Sequence, residues 1–288
     1  MKRTHYFLAL IVAAAPLAAC AGTLAQFRTV FGDIDVELYD QDKPVTVQNF
    51  IRYVQSGAYT NMFLHRCIPG FIVQGGGFST TNQLATNLFT VFDYVRDFGA
   101  ISNEFNVGTP RSNTYGTIAM AKVGGDPNSA SSQWFFNLGD NSANLDNQNG
   151  GFTVFGRMVR GTNVLNIFNA ISQANGIVDL RKFYGTNTVT SLFSDLPVRY
   201  LGQSPPDYND LIYADVSLLN VQVRPAGDQA REISWNSVSN RLNTLEFTTN
   251  VPPDWQSLVT TNGTGGPLTV VDADPANPWR FYRVRVDY

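Results

Sequence analysis

Alternation of apolar and polar residues runs through most of the chain and indicates strands more often than helices. It begins after the first 25 residues, where Ile34, Val36 and Leu38 alternate with acidic residues, and it predicts a β-hairpin over Gln26–Tyr39 that turns at Gly32-Asp33. Further short apolar stretches also predict strands. They lie at 62–75, where Pro69-Gly70 divides the segment into two strands, and at 116–120, 133–138, 152–159 and 211–223.

Two segments have a helical period instead. A first helix begins at Pro44 and ends before Gly57, and a second begins after Gly161-Thr162. Their apolar faces are formed by Val47, Phe50, Ile51 and Val54, and by Val164, Leu165, Phe168 and Ile171. Two helices among about eight strands predict a capped barrel. The proline-containing stretch 175–209 is an elaborated loop inserted before the strand that closes this barrel.

The alternating pattern starts again near residue 225. Strand candidates lie at 231–235, 242–248, 255–260, 268–271 and 280–288. We therefore predict a barrel domain over 26–223 and a small β-sandwich-like module over 228–288. Trp235, Trp255 and Trp279 of this module favour core positions over an aromatic platform for glycans.

Residues 1–25 have the features of an export signal. Lys2 and Arg3 precede an apolar stretch that is shorter than the ~18 residues needed to span a bilayer. The segment 17–20, Leu-Ala-Ala-Cys, resembles a lipobox, in which Cys20 is lipidated, but 19–21 and 23–25 are alternative cleavage sites. We expect an exported protein of the periplasm, the cell envelope or the extracellular space. A lipid on Cys20 would be its one membrane contact.

Composition and charge narrow the function further. Hydrophobic residues make up 43% of the chain and charged residues 15%, with 24 Gly and 14 Pro, which suits strands joined by turns. The net charge is −3 and the basic residues are scattered, so nucleic acid is not an expected partner. Outside the signal, His65 is the single histidine, and Cys20 and Cys67 are the two cysteines of the whole chain. We expect no metal, no cofactor and no intramolecular disulfide.

Three sequence blocks carry the chemistry. The first, at 63–76, is Phe-Leu-His-Arg-Cys-Ile-Pro-Gly-Phe-Ile-Val-Gln-Gly-Gly. The second consists of Gly-Thr-Ile-Ala-Met-Ala at 116–121 and Ser-Ser-Gln-Trp-Phe-Phe at 131–136, and the third of Asn-Leu-Asp at 144–146 and Phe-Thr-Val-Phe-Gly-Arg at 152–157. In this order they resemble the cyclophilin-type peptidyl-prolyl cis-trans isomerases, especially bacterial branches. The resemblance covers about 26–223 and implies a mainly β fold, an eight-stranded antiparallel barrel capped by two helices.

The resemblance also implies roles for individual residues. Arg66 is the catalytic group, and Gln74 binds the substrate carbonyl and helps to hold Arg66. His65 has a structural role, since rotation about a peptide bond needs no proton transfer. Ala121 and Lys122 offer backbone groups to an extended peptide. The proline pocket and its groove are formed by Phe71, Ile72, Gln133, Phe135, Leu145 and Phe152.

The function that these residues imply is isomerisation of X-Pro bonds in exported proteins. The partners are proline-containing polypeptides, and we expect a monomer without a cofactor. Two alternatives from other classes stay open: a module that binds proline-containing segments without turnover, and a surface adhesion protein in which the C-terminal module matters most. The presence of Arg66 favours the enzyme, because binding alone would not require it.

Overall fold

The structure is a computed structural model that describes residues 23–80, 92–200, 205–219, 221–227, 230–237, 242–250, 253–264, 266–273 and 279–287. Residues 1–22 of the predicted signal peptide, with Cys20, lie outside these ranges. The alternative cleavage site at 23–25 is described, and Leu24 and Ala25 belong to the first strand of the structure. Among the described helices, none has the length and apolar composition needed to cross a bilayer.

The described part of the barrel region contains thirteen strands and five helices. The strands are β1 Leu24–Thr29, β2 Gly32–Leu38, β3 Met62–Phe63, β4 Arg66–Ile68, β5 Ile72–Gly75, β6 Phe78–Thr80, β7 Phe92–Tyr94, β8 Thr117–Met120, β9 Trp134–Asn137, β10 Val154–Arg160, β11 Ile177–Val178, β12 Leu196–Pro197 and β13 Asp215–Leu218. The helices are α1 Pro44–Gln55, α2 Ser142–Leu145, α3 Thr162–Ala170, α4 Arg181–Tyr184 and α5 Thr188–Ser191. One 3-10 turn spans Tyr208–Asp210.

Eight of these strands form one antiparallel sheet in the order β13-β1-β2-β10-β8-β9-β5-β4. The sheet curls so that its two edges meet, because Phe63 pairs with Tyr213 and the Leu64 N–H donates to the Ile212 carbonyl at 2.9 Å. Such closure removes the exposed edges of a sheet. The predicted antiparallel barrel is confirmed.

The barrel core is aromatic and is capped by the two predicted helices. The Phe27 ring lies 4.9 Å from that of Trp134 and 5.0 Å from that of Phe136, edge to face. The first helix buries Phe50 and the second buries Phe168 on the faces that their periodicity predicts. Pro44 occupies the start of α1, where its missing N–H costs no hydrogen bond.

The structure corrects three details of the predicted strands. The first hairpin turns at residues 30–31, because Thr29 pairs with Gly32, which has a φ of +121°. The segment 62–75 contains three strands, β3, β4 and β5, where two are predicted. The strand predicted over 211–223 is also divided: β13 pairs with β1 of the barrel, whereas the next strand, Val221–Pro225, pairs with the C-terminal part.

The C-terminal part forms two three-stranded sheets. Its strands are β14 Val221–Pro225, β15 Arg231–Asn236, β16 Leu242–Thr248, β17 Gln256–Asn262, β18 Pro267–Asp272 and β19 Phe281–Asp287, in the orders β14-β15-β18 and β17-β16-β19. Ile233, Trp235 and Leu245 are buried together between the sheets, which confirms extra β-structure and places Trp235 in a core. Trp279, in contrast, is 75% exposed.

Candidate active site

Strand register brings Arg66 and Gln74 together on the outer face of the barrel. Arg66 pairs with Gln74 across β4 and β5, and Gln74 pairs with Phe135 across β5 and β9. Residues that are directly paired on antiparallel strands share one face of the sheet. The alternate residues Cys67 and Val73 lie in the barrel core. The guanidinium of Arg66, the amide of Gln74 and the ring of Phe135 therefore lie side by side on this face.

The turn between β4 and β5 positions Phe71 at the edge of this surface. Gly70 has a φ of +74°, a conformation that favours glycine, and the Phe71 N–H donates to the Ile68 carbonyl at 2.9 Å. The Phe71 carbonyl accepts a hydrogen bond from Asn141 Nδ2 at 2.7 Å. The Pro-Gly pair of the first sequence block thus forms the tight turn that holds the Phe71 ring in place.

A cavity of about 400 Å³ lies beside Arg66 and has an apolar floor. Ile72, Phe135 and Leu145 are buried there, and Phe71 and Phe152 pack against them while remaining partly exposed. The rings of Phe135 and Phe152 meet edge to face with their centroids 5.9 Å apart. An apolar, concave site of this kind suits a small apolar ring and excludes water from its surroundings.

A buried asparagine holds the loop that carries Leu145 and Phe152. Asn113 Nδ2 donates to Asp146 Oδ1 at 2.8 Å and to the Phe152 carbonyl at 2.9 Å. The Asn113 backbone N–H donates to the same Asp146 oxygen at 3.0 Å. Within the loop, the Phe152 N–H donates to the Leu145 carbonyl at 2.9 Å. These hydrogen bonds fix one wall of the cavity relative to the sheet.

The opposite side of the cavity is polar. Gln74 Nε2 donates to Gln133 Oε1 at 2.8 Å, and the Ala121 N–H donates to the Gln133 carbonyl at 2.9 Å. The two glutamine side chains therefore orient each other. Because each amide can make further hydrogen bonds, this pair can also bind a polar ligand.

Lys122 braces the cavity wall with its side chain. Its ammonium donates to the carbonyls of Asn149 at 2.7 Å and Gly151 at 2.6 Å, and it lies 4.7 Å from the centroid of the Phe152 ring. Burial lowers the pKa of Lys122 to about 8, and the charge of Asp126 opposes this shift. The side chain of Lys122 is therefore bound to the loop that carries Phe152.

Among the described residues, Arg66 forms no ion pair with a carboxylate, and Lys122, the other cationic group that lines the cavity, bonds to backbone carbonyls. Its neighbour His65 is buried, and burial lowers the pKa of His65 to about 3, with a smaller contribution from the Arg66 charge. The neutral imidazole packs edge to face on Phe78, with the centroids 4.9 Å apart. This environment is typical of a structural histidine, in agreement with the sequence analysis.

All ten residues that the sequence predicts for catalysis and substrate binding line this one cavity. They are Arg66, Phe71, Ile72, Gln74, Ala121, Lys122, Gln133, Phe135, Leu145 and Phe152. Four further lining residues were not predicted: His65, Phe78, Gln148 and Leu192. Phe78 could have been found from its place two residues after the first block, whereas Leu192 lies in the inserted stretch and has no local signal. Within the described residues, no cluster of His, Cys, Asp and Glu could hold a metal ion.

Comparisons with known proteins agree with this geometry. A family model described as cyclophilin type peptidyl-prolyl cis-trans isomerase/CLD matches residues 24–183. The peptidyl-prolyl cis-trans isomerase of Acinetobacter baylyi is 36% identical over 148 residues, which cover 51% of this chain and 72% of that protein. Peptidyl-prolyl cis-trans isomerase A of Dickeya dadantii is 40% identical over 161 residues, 55% of this chain and 77% of that protein. Peptidyl-prolyl cis-trans isomerase B of Escherichia coli is 36% identical over 154 residues, 52% and 85% of the two chains.

Proposed function

The chain belongs to the cyclophilin-type peptidyl-prolyl cis-trans isomerases, and we propose that it uses Arg66 to accelerate rotation about X-Pro bonds in exported polypeptides. Family membership makes the chain an isomerase. The roles of its residues, the origin of its substrates and its cellular compartment are the proposal. The observation that carries it is the position of Arg66 beside an apolar cavity, without a carboxylate partner among the described residues.

Arg66 acts on the nitrogen of the rotating bond. The barrier to rotation is ~18–20 kcal/mol because the nitrogen lone pair is delocalised in the planar amide. As the bond twists, the nitrogen becomes pyramidal and accepts a hydrogen bond, which the planar ground state cannot do. A guanidinium that is already in place therefore stabilises the transition state more than either isomer.

The apolar floor binds the proline ring. Ile72, Phe135 and Leu145 surround the ring, and Phe71 and Phe152 cover it from the sides. Removal of water from the amide favours the twisted state, because polar solvent stabilises the charge separation of the planar one. Gln74, held by Gln133, binds the substrate carbonyl, and the backbone at Ala121 and Lys122 pairs with the rest of the peptide.

The compartment follows from the export signal predicted over residues 1–25. Slow X-Pro isomerisation limits the folding of many chains, and it does so for newly exported proteins as well. We therefore infer that the isomerase acts as a monomer in the periplasm, at the envelope or outside the cell, either free or held by a lipid on Cys20.

Exchange NMR on a short Ala-Pro peptide tests the catalytic role. Arg66→Ala should lower the rate of cis-trans exchange roughly 10²–10³-fold, as expected for the loss of one preorganised donor, with a much smaller effect on peptide affinity. Arg157→Ala is the matched control, because Arg157 is an exposed strand arginine outside the cavity. If Arg66→Ala keeps the full rate, the catalytic role of Arg66 is refuted. If wild type gives no acceleration, the site serves proline-segment binding without turnover.

The mass of the mature N-terminus tests the export role. A chain that begins at Cys20 with attached acyl groups would identify a lipoprotein, and a chain that begins at residue 22 or 26 would identify ordinary cleavage. An intact N-terminus in the cytoplasmic fraction would refute export. The isomerase assignment does not depend on this result.

A further inference from the structure

The inserted stretch docks on the edge of the sheet beside Arg66. The Cys67 N–H on edge strand β4 donates to the Asp195 carbonyl at 2.7 Å. Inside the stretch, β11 pairs with β12, and the Val198 N–H donates to the Gly176 carbonyl at 2.8 Å. Arg66 therefore has the rest of the barrel on one side and the inserted stretch on the other.

A small aromatic core fixes the position of the inserted stretch. Phe193 is fully buried, and its ring centroid lies 5.0 Å from Phe78, 6.1 Å from Phe63 and 5.2 Å from Phe92. Phe78 also lines the cavity beside Arg66. Close aromatic packing of this kind anchors the stretch against the barrel.

Leu192 projects from this anchored stretch into the cavity. It directly follows α5, and its N–H donates to the Val189 carbonyl at 3.1 Å. Its neighbour Phe193 is buried, whereas Leu192 is 37% exposed and lines the same cavity as Arg66. The family match ends at residue 183, before this position. An exposed leucine in a well-anchored position beside the catalytic group is available to a substrate.

The strand order places Leu192 opposite the peptide-binding backbone. Ala121 directly follows β8, and the next strands of the sheet are β9, β5 and β4 in that order. These three strands carry Phe135, Gln74 and Arg66, respectively. The inserted stretch comes next, at the outer edge of β4. A peptide that pairs with Ala121 and places proline over Phe135 therefore brings a flanking side chain to Leu192.

We propose that Leu192 forms an apolar subsite for a side chain next to the substrate proline, so that the inserted stretch selects X-Pro segments with an aliphatic or aromatic neighbour. The inference rests on the proposed function of the cavity. The selected side chain lies within two residues of the proline, and the experiment determines whether it precedes or follows it.

The test uses pentapeptides of the form Ala-Ala-Pro-Ala-Ala in which Leu or Lys replaces one alanine at a time. For wild type, Leu at one flank should raise kcat/KM for exchange roughly fivefold over the all-alanine peptide, about the effect of burying half a leucine side chain. Leu192→Ala should reduce this ratio to about one, mainly through KM. Leu192→Glu should instead favour Lys at the same flank.

Leu242→Ala is the matched control, because Leu242 is 46% exposed in the C-terminal part and does not line the cavity. It should keep the leucine preference. The subsite is refuted if Leu192→Ala keeps the leucine preference. It is also refuted if wild type accelerates exchange in every peptide but shows no leucine preference. In both cases the proposed isomerase function is unaffected. If wild type accelerates exchange in no peptide, the proposed function fails, and the subsite inference fails with it.

Discussion

Replacement of Asn113 by Ala tests whether the buried amide holds the cavity wall. The side chain is fully buried and makes three hydrogen bonds, two as donor to Asp146 and Phe152 and one as acceptor from Asn137 Nδ2 at 3.2 Å. Each such bond contributes about 1 kcal/mol net, and a buried partner left without a bond costs about 1–3 kcal/mol. We expect Asn113→Ala to lower the free energy of unfolding of the barrel by about 3 kcal/mol.

The same change should weaken peptide binding, because Leu145 and Phe152 lose their common support. Hydrogen exchange of peptides from β9 measures the opening free energy of the barrel separately from the C-terminal part, and exchange NMR measures the affinity. Asn147→Ala is the control: Asn147 is exposed on the same loop, and its bonds to Ser142 and Ala143 are long, so its effect should stay within about 0.5 kcal/mol.

Asn113→Asp separates hydrogen bonding from volume. This substitution keeps the size of the side chain but replaces its donors with oxygen next to the Asp146 carboxylate. Repulsion and burial should raise the folded-state pKa of the introduced carboxyl, so stability should improve as the pH falls toward about 4 and the carboxyl is protonated. If Asn113→Ala destabilises the barrel no more than Asn147→Ala does, the amide does not support the wall and the reasoning is refuted.

Three further predictions concern the rest of the barrel. Because the pKa of His65 is about 3 in the folded protein and 6.5 for an exposed histidine, the unfolded chain binds more protons between these limits. The free energy of unfolding should therefore be highest above pH 6.5. Below pH 6.5 it should fall by at most about 1.4 kcal/mol per pH unit because of His65. Urea titrations at several pH values should find a smaller slope for His65→Gln. Burial raises the pKa of the Cys67 thiol, so a thiol reagent should label it at the rate of unfolding, and fast labelling of the native protein would contradict this. A chain that ends at Leu219 should unfold cooperatively on heating, because β13 completes the barrel and β14 pairs elsewhere; a broad transition by circular dichroism would show that the barrel depends on the C-terminal part.

The sequence predicts the elements whose signal is local. The α1 helix has its proline start and its apolar face within twelve residues, and the structure has it over Pro44–Gln55. The candidate site could be predicted for a related reason, since Arg66 and Gln74 lie on one short hairpin and Phe135 pairs with the second of its strands. A family resemblance over contiguous sequence blocks therefore identifies several residues of the site at once.

The inserted stretch could not be predicted in the same way. Strands β11 and β12 have two residues each, too few to show a period, and they are stable because Val178 and Leu196 share a core with distant residues. The position of Leu192 depends on the packing of Phe193 against Phe78, more than a hundred residues earlier in the chain. The sequence near Leu192 does not predict that contact between Phe193 and Phe78.

The buried asparagine network was missed for a different reason. Asparagine near glycine indicates turns, and the loop over 141–151 does contain turns. Asn113, Asn137 and Asn141 nevertheless lie buried, where their amides bond to one another or to neighbouring backbone. Composition predicts the turn chemistry correctly, but burial of these amides is a property of the assembled barrel.

Arg66 lies on a strand of the barrel, whereas parts of the cavity wall lie in loops. Substrate preference can therefore change without a change in the position of Arg66. Arg66 cannot move along β4 by one residue, because a shift of register would place it in the core position of Cys67. The face that carries Arg66 is therefore tied to the barrel itself. Two other walls of the cavity come from the loop fixed by Asn113 and from the stretch anchored by Phe193, and neither supplies a strand of the barrel sheet. Substitutions in these walls can alter which side chains fit beside the proline without disturbing the guanidinium that we propose acts on its nitrogen.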